Sequence, residues 1–474
     1  MKTHHLPRLG LLLATTLLLA ACAAPDPQKN LSDLQDLTQG RTAGVAVELT
    51  RPDTDHQAAV AELLKQPLTA ESAVRIALLS SPSVQQALVT LDLSDALRAQ
   101  AGRVPNPHFS IAELAEGEKR EIERAIKFDL IGLLFLPWKS EWASRQHELA
   151  KLQAAQEIAR LATEVRKAWI NAVSAQQTVA YLIDVQEAAE AGAELARRMT
   201  RAGNYSKLQQ AREQAILADA AAQLARARQR ALAEREKLTR LMGLWGEQTQ
   251  YTLAERLPEL PGEAATQDDV EARALRQRLD VRAAVAETHW VGESLGMVKT
   301  TGYLDGMSLA YKHSSTVDGA GEREQKHGWE LEVPLPLFDW GTARNARAEA
   351  IYMQSAVRVR NVAVQARSEA REAYAGWRTA WDLARHYRDE VVPLRRFIGE
   401  EMLLRYNGML SSVWDLLAEV RNQSLSVNQA LDAQRDFWLA DADLQLTLTA
   451  TSPGAMSALR GGGSTPVASS SGGH

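Results

Sequence analysis

The chain has 474 residues, a single cysteine and a net charge of −5, which becomes −7 once Lys2 and Arg8 of the first segment are removed. That balance does not suggest nucleic-acid binding, which usually needs a basic surface, and one cysteine excludes an intramolecular disulfide. Aromatic residues make up 5% against 45% hydrophobic residues overall, a poor match to a compact enzyme and a good one to long Ala-rich helices.

Residues 1–21 read as a signal peptide. Lys2 and Arg8 form a short basic stretch, and the apolar run Leu9 to Ala21 is too short to span a bilayer. The run ends Leu19-Ala20-Ala21-Cys22, which resembles a bacterial lipobox. That resemblance implies cleavage before Cys22 and several acyl chains on it, enough for a stable anchor. The other reading is a plain signal peptide with a chance cysteine. Ala23, rather than Asp, resembles lipoproteins sent on to the outer membrane. No cofactor is expected beyond the covalent lipid on Cys22. Residues 22–66 form a polar, proline-containing segment. No later stretch is apolar enough for a membrane helix, so the chain is either tethered by lipid alone or crosses as strands.

From residue 67 the sequence repeats itself. Ala77-Leu78 and Ser83-Val84 match Ala274-Leu275 and Asp280-Val281 at an offset of 197, and Thr163–Trp169 matches Ser368–Tyr374 at an offset of 205. The repeats are 67–243 and 269–451, joined by 244–268 with its Pro258, Pro261 and Gly262. In the first, Phe109 and Ile111, then Ile126, Phe128 and Leu130, alternate with polar residues and predict strands within about 108–136. In the second, Met307, Leu309 and Tyr311, then Trp329, Leu331, Val333, Leu335 and Leu337, predict strands within about 306–338. The polar stretches 114–124 and 313–328 are expected to connect them as hairpins.

Long helices follow. Leu161, Val165, Ala168, Ala172, Ala175, Val179 and Leu182 form a heptad seam, and Ala366, Ala370, Ala373, Trp377, Ala380, Ala384 and Tyr387 form another. Residues 139–200 predict one helix of roughly 90 Å at 1.5 Å per residue. Residues 343–404 predict its counterpart, bent at Pro393. Glycine-containing turns close both, with Gly203 and Gly408 suited to the left-handed conformation and Ser206 and Ser411 suited to cap the returning helices at about 207–243 and 412–450. Residues 452–474 are Gly/Ser-rich and read as a disordered tail.

This order of elements resembles the TolC-like outer membrane factors. The carriers are Leu68-Thr69 with the Ala77-to-Pro82 helix entry, Pro105-Asn106-Pro107 before the first strand, and Arg278-Leu279-Asp280-Val281 opening the second repeat. Pro334-Leu335-Pro336-Leu337-Phe338-Asp339-Trp340-Gly341 enters the second long helix, and Tyr406-Asn407-Gly408 with Ser411 closes it. The chain departs from the family at Leu279, where proline is usual, and at Leu136-Pro137-Trp138-Lys139, where a Phe-x-x-Gly entry is usual. The resemblance implies a mainly α fold with a small β part. As a homotrimer it forms a 12-stranded outer-membrane β-barrel on a periplasmic α-helical barrel. It further implies a non-enzymatic export channel that meets a periplasmic adaptor and an inner-membrane transporter and is surrounded by outer-membrane lipids; no nucleic-acid partner is expected, on the charge balance. A soluble sheet with one buried face fits the alternation alone, and a periplasmic lipoprotein adaptor or scaffold with coiled-coil hairpins is the other functional reading.

No catalytic constellation or metal-ligand spacing stands out. Asp415 falls where the family places an acidic ring around a closed pore, and Glu419 lies one helical turn further on the same face. A solvated helix face fits both as well. Arg201, Gly203, Ser206, Arg405, Gly408 and Ser411 lie in the two turns, which the resemblance assigns to adaptor contact.

Overall fold

The computed structural model describes residues 24–42, 44–46, 48–51, 56–117, 119–264, 269–301, 307–317, 320–333, 337–338 and 340–454. Cys22, Pro334-Leu335-Pro336, Asp339 and most of the expected tail lie outside them. In chain order the elements are α1 (Pro27–Thr38), α2 (Gln57–Leu63), α3 (Ala70–Ser80), α4 (Pro82–Ala101), β1 (His108–Glu116), β2 (Lys119–Asp129), α5 (Leu130–Leu134), α6 (Leu136–Arg201) and α7 (Lys207–Met242). After a 3₁₀ turn at Gly246–Thr249 come α8 (Val270–Gln277), α9 (Leu279–Thr301), β3 (Ser308–Val317), β4 (Arg323–Glu332) and α10 (Thr342–His386). A π turn at Tyr387–Val391 leads into α11 (Val392–Asn407), and α12 (Val413–Thr449) returns.

The chain forms two compact units. Among the described residues, the first contains those of 24–34, 89–154 and 282–362. Its sheet is antiparallel in the order β1-β2-β3-β4. The strands continue through the polar stretches expected to be connections. Glu113 to Glu116 pairs with Lys119 to Ile122, and His313 to Val317 pairs with Arg323 to His327, so the turns are much tighter than the sequence suggested. Polarity misled because both faces of these strand ends are polar, which hides the period of two. Leu130 is not in the strand. Asp129 accepts from the Gly132 backbone N–H at 2.7 Å and caps the short helix α5 instead. A Cβ at residue 132 would sit 2.2 Å from the Asp129 carboxylate, so glycine is required there. Val333 likewise lies just past β4.

Two side-chain groups fix the helices of this unit. Trp142 of α6 stacks on Trp290 of α9 with ring centroids 5.8 Å apart, and Arg145 pairs with Glu141 and Glu293. The second group is a buried polar network. Asp95 accepts from the Asp26 backbone N–H at 2.8 Å, from Asn30 Nδ2 at 3.2 Å and from Arg98 Nε at 2.8 Å. His147 Nε2 meets Asn30 Oδ1 at 3.0 Å. One turn on, Lys151 donates to Asp33 and Glu148 at 2.6 and 2.8 Å. The start of α1 is thereby held to α4 and α6 by satisfied buried polar groups.

The second unit contains residues 35–88, 155–281 and 363 onward. Here the two heptad seams are buried: Val165 and Ala168, like Ala366 and Ala370, have no measurable exposure, and only Val179, next to last in the first seam, and Tyr387, last in the second, are partly open. Alanine at these positions lets helices approach closely. The expected single helix at 343–404 is interrupted by the π turn just before Pro393. Proline has no N–H to give the Asp389 carbonyl and its ring crowds that carbonyl, and the wider turn relieves both. The connective segments are anchored by indole donors. Trp169 Nε1 donates to the Leu68 carbonyl at 2.7 Å, Trp381 Nε1 to Pro261 at 3.2 Å and Trp438 Nε1 to Pro258 at 3.0 Å.

Arg278, which opens α9 in sequence, is almost wholly buried at 1% exposure. It clamps Asp280 through Nε at 2.9 Å and Nη2 at 2.6 Å, and Glu369 through Nη1 at 2.7 Å. Next to it the Leu279 N–H donates to the Ala450 carbonyl at 2.7 Å, closing the C-terminus of α12. The C-terminus of α7 closes in a related way, with Ser80 Oγ donating to the Met242 carbonyl at 2.7 Å.

Candidate functional site

Three features bear on function: the sheet faces, the two helical turns and the acids of α12. Register sorts the sheet by face. Phe109, Ile126, Tyr311 and Trp329 are successive cross-strand neighbours and form one apolar row, and Phe128, Leu309 and Leu331 form the next. Apart from half-buried Leu309 these side chains are exposed, Trp329 at 68%. The opposite face carries charge. Lys127 pairs with Glu332 at 2.7 Å, and Lys312 bridges Glu123 and Glu330 at 3.2 and 2.5 Å. One face is thus suited to an apolar environment and the other to water. The outer edges of β1 and β4 have no strand partner among the described residues. Strand edges of this length call for a partner strand.

The first turn follows Arg201, the last residue of α6. Gly203 has φ +79°, the Asn204 N–H reaches back to the Met199 carbonyl at 2.9 Å, and Ser206 caps α7. Ser206 Oγ accepts from the Gln209 N–H at 3.2 Å while Gln209 Oε1 accepts from the Ser206 N–H at 3.0 Å, a complete capping box. The second turn differs from expectation twice. Gly408 is not left-handed; its neighbour Met409 is, at φ +60°. The cap is Ser412, not Ser411: Ser412 Oγ accepts from the Asp415 N–H at 3.2 Å, and the Asp415 carboxylate accepts from the Ser412 N–H at 3.1 Å. Arg405 supplies the carbonyl for the Leu410 N–H at 2.8 Å, and Met409 and Leu410 project almost fully into solvent. The structure brings the two turns together. Tyr205 stacks on Trp414 with centroids 4.4 Å apart and planes 16° apart, a contact that the sequence reading missed.

Asp415 is therefore the third residue of a capping box, exposed, and its carboxyl is held below the usual carboxylate range by the Ser412 hydroxyl and N–H. Glu419, one turn further, is 8% exposed and faces Arg395 at 3.5 Å. A further pair missed by the sequence reading lies nearby: Arg421 Nη2 contacts the buried carboxylate of Glu213 on α7 at 2.6 Å. Among the described residues, no helix is long and apolar enough to cross a membrane and no group of three or more His, Cys, Asp or Glu could hold a metal ion.

No protein-family model matches the sequence, and no curated protein matches it. Solved structures do. The outer membrane protein VceC of Vibrio cholerae superposes with a TM-score of 0.64 at 16% identity, covering 84% of this chain and 97% of that one. CusC, described with its transmembrane channel formation, gives 0.65 at 14%, covering 85% and 99%. The open-state MtrE outer membrane channel of Neisseria gonorrhoeae gives 0.63 at 18%, covering 80% and 88%. These likenesses cover 80–85% of this chain and 88–99% of the others, so the resemblance read from the sequence holds at the level of the fold: the chain has the fold of the TolC-like outer-membrane channels.

Proposed function

We propose that the chain is the outer-membrane channel of a tripartite export system. The observation that carries this is a four-stranded sheet with one exposed apolar face, one ion-paired face and two open edges, in a chain otherwise built of long helical hairpins. Four strands cannot close around a conduit, whereas three copies joining β4 of one to β1 of the next give a twelve-stranded barrel without edges. The apolar rows then face lipid and the Lys/Glu face lines the lumen. The two halves of the chain act as repeats, each contributing one strand hairpin and one helical hairpin to the trimer.

In this reading the paired turns, with Arg201, Gly203, Ser206, Arg405, Gly408 and Ser411, are the contact surface for a periplasmic adaptor. The exposed Met409 and Leu410 support it, since apolar side chains at a turn gain from a partner. Asp415 and Glu419 are the acids that three-fold symmetry would converge on the pore. Cys22 carries the lipid anchor. The chain performs no chemistry of its own; it passes cargo outward from an inner-membrane transporter. The test is localisation with assembly. Outer-membrane fractions of producing cells should contain trimers that resist dissociation by detergent until heated. Monomer in the soluble periplasmic fraction would sink the channel reading in favour of an adaptor or scaffold.

A further inference from the structure

The strands sort their charges by face more strictly than a lumen and a lipid surface require. On the apolar face, the row next to Phe109-Ile126-Tyr311-Trp329 on the side of the hairpin turns is Ile111, Arg124, His313 and His327, aligned across all four strands. Nearer the turns, Arg120 and Arg323 flank Val317 on the same face. Glu113 is the acid that accompanies them, and it approaches Arg120 only to 4.0 Å with both side chains well exposed. The strand lysines, and the other strand acids, all lie on the opposite face. Among the described residues no carboxylate pairs with Arg124 or Arg323. The arginine-rich region starts about 7 Å beyond the apolar rows and continues for roughly another 13 Å along the strands.

An apolar belt beyond which, among the described residues, Arg124 and Arg323 are unpaired and Arg120 is only loosely paired fits an amphiphile: acyl chains along the belt and anionic groups against the arginines. Arginine rather than lysine suits phosphate, because its planar fork gives two parallel hydrogen bonds. An acidic protein partner would use the charges and leave the belt bare. We propose that this face binds the phosphate groups of an outer-leaflet glycolipid of the lipid A type, through Arg120, Arg124 and Arg323 with His313 and His327 completing the row. This rests on the channel reading, which places the sheet in the outer membrane.

The test uses the full chain purified in detergent, incubated with diphosphoryl lipid A or its dephosphorylated form, with retained lipid counted by native mass spectrometry. Wild type should retain the diphosphoryl form about tenfold better, a ratio that one lost charge-assisted contact of roughly 1.4 kcal/mol removes. The variant Arg120→Gln/Arg124→Gln/Arg323→Gln should lose the preference. Equal retention of both lipids by wild type, or an unchanged preference in the variant, overturns the proposal. Excess inorganic phosphate that displaces the lipid completely marks a free-anion site and overturns it too. Conductance of wild type in plain phosphatidylcholine bilayers separates the two readings: channels without a lipid A preference refute this proposal alone, and no channels refute both.

Discussion

Replacing Arg278 by methionine should be among the most destabilising single changes in the helical unit. The side chain is 1% exposed and makes three charge-assisted bonds, two to Asp280 and one to Glu369, all between 2.6 and 2.9 Å. Methionine keeps much of the stem's packing and removes the charge. Breaking a buried ion pair by deleting one partner costs about 3–5 kcal/mol. Asp280 and Glu369 are 19% and 20% exposed, so water can reach them once the guanidinium is gone. Each also keeps other donors: the Val281 N–H on Asp280 and Ser452 Oγ on Glu369. The loss should therefore lie near the low end, about 3 kcal/mol. Urea unfolding followed by circular dichroism at fixed protomer concentration should show a lower midpoint at unchanged slope. Arg278→Lys should fall between, since an ammonium cannot span the fork. Adding Glu369→Gln to Arg278→Met should restore part of the stability, because it removes one of two neighbouring unpaired carboxylates. An Arg278→Met protein within about 0.5 kcal/mol of wild type, or a double variant no better than the single one, would refute the reasoning.

Four other outcomes are expected. Acid should weaken the first unit: burial and the Lys151 charge lower the His147 pKa, and Arg98, the Asp26 N–H and Asn30 outweigh burial to hold Asp95 below the usual carboxylate range. Both groups bind fewer protons folded than unfolded, so their stabilisation is complete above pH 6.5 and is lost on acidification, first through His147 and then, below 3.8, through Asp95. Unfolding midpoints measured from pH 8 to pH 5 should therefore flatten in His147→Asn, and a slope identical to wild type would contradict this. Cys22→Ala should leave uncleaved or mislocalised precursor, and incorporation of labelled fatty acid into that variant would rule out the lipobox. Leu331→Arg should impair insertion, because a lipid-facing arginine costs about 2–4 kcal/mol near mid-bilayer, while Glu330→Arg should be mild; equal effects would reject the division of the sheet into lipid and lumen faces. Asp415→Ala should lower cation preference and divalent block in single-channel recordings. Because it also removes half of the Ser412 capping box, Asp415→Asn, which keeps an acceptor for the cap, is the cleaner variant; unchanged selectivity in both would place Asp415 on a solvated face.

The elements that were legible in the sequence are those with a strong period. The seams through Val165 and Ala366 repeat every three and four residues and are buried as that spacing requires. Ser206 announces its capping box through Gln209. Ser412-Val413-Trp414-Asp415 carried the same signal, which the adjacent Ser411 obscured. The strand ends near Glu121 and Lys326 were hidden because charge on both faces removes the apolar alternation, although the split of arginine to one face and lysine to the other preserves the period in another form. The networks of Asp95 with His147 and of Arg278 with Glu369, and the stacking of Tyr205 on Trp414, join residues far apart in sequence, and no local pattern marks them.

The central claim is that this chain forms a transmembrane conduit, and the most direct measurement is current through planar bilayers containing the purified full-length protein. Discrete conductance steps are expected from the detergent-resistant trimer, abolished when Leu331→Arg prevents insertion and retained with altered selectivity in Asp415→Asn. A trimer that binds bilayers yet never conducts, or a protein that remains monomeric and leaves the bilayer sealed, would contradict it.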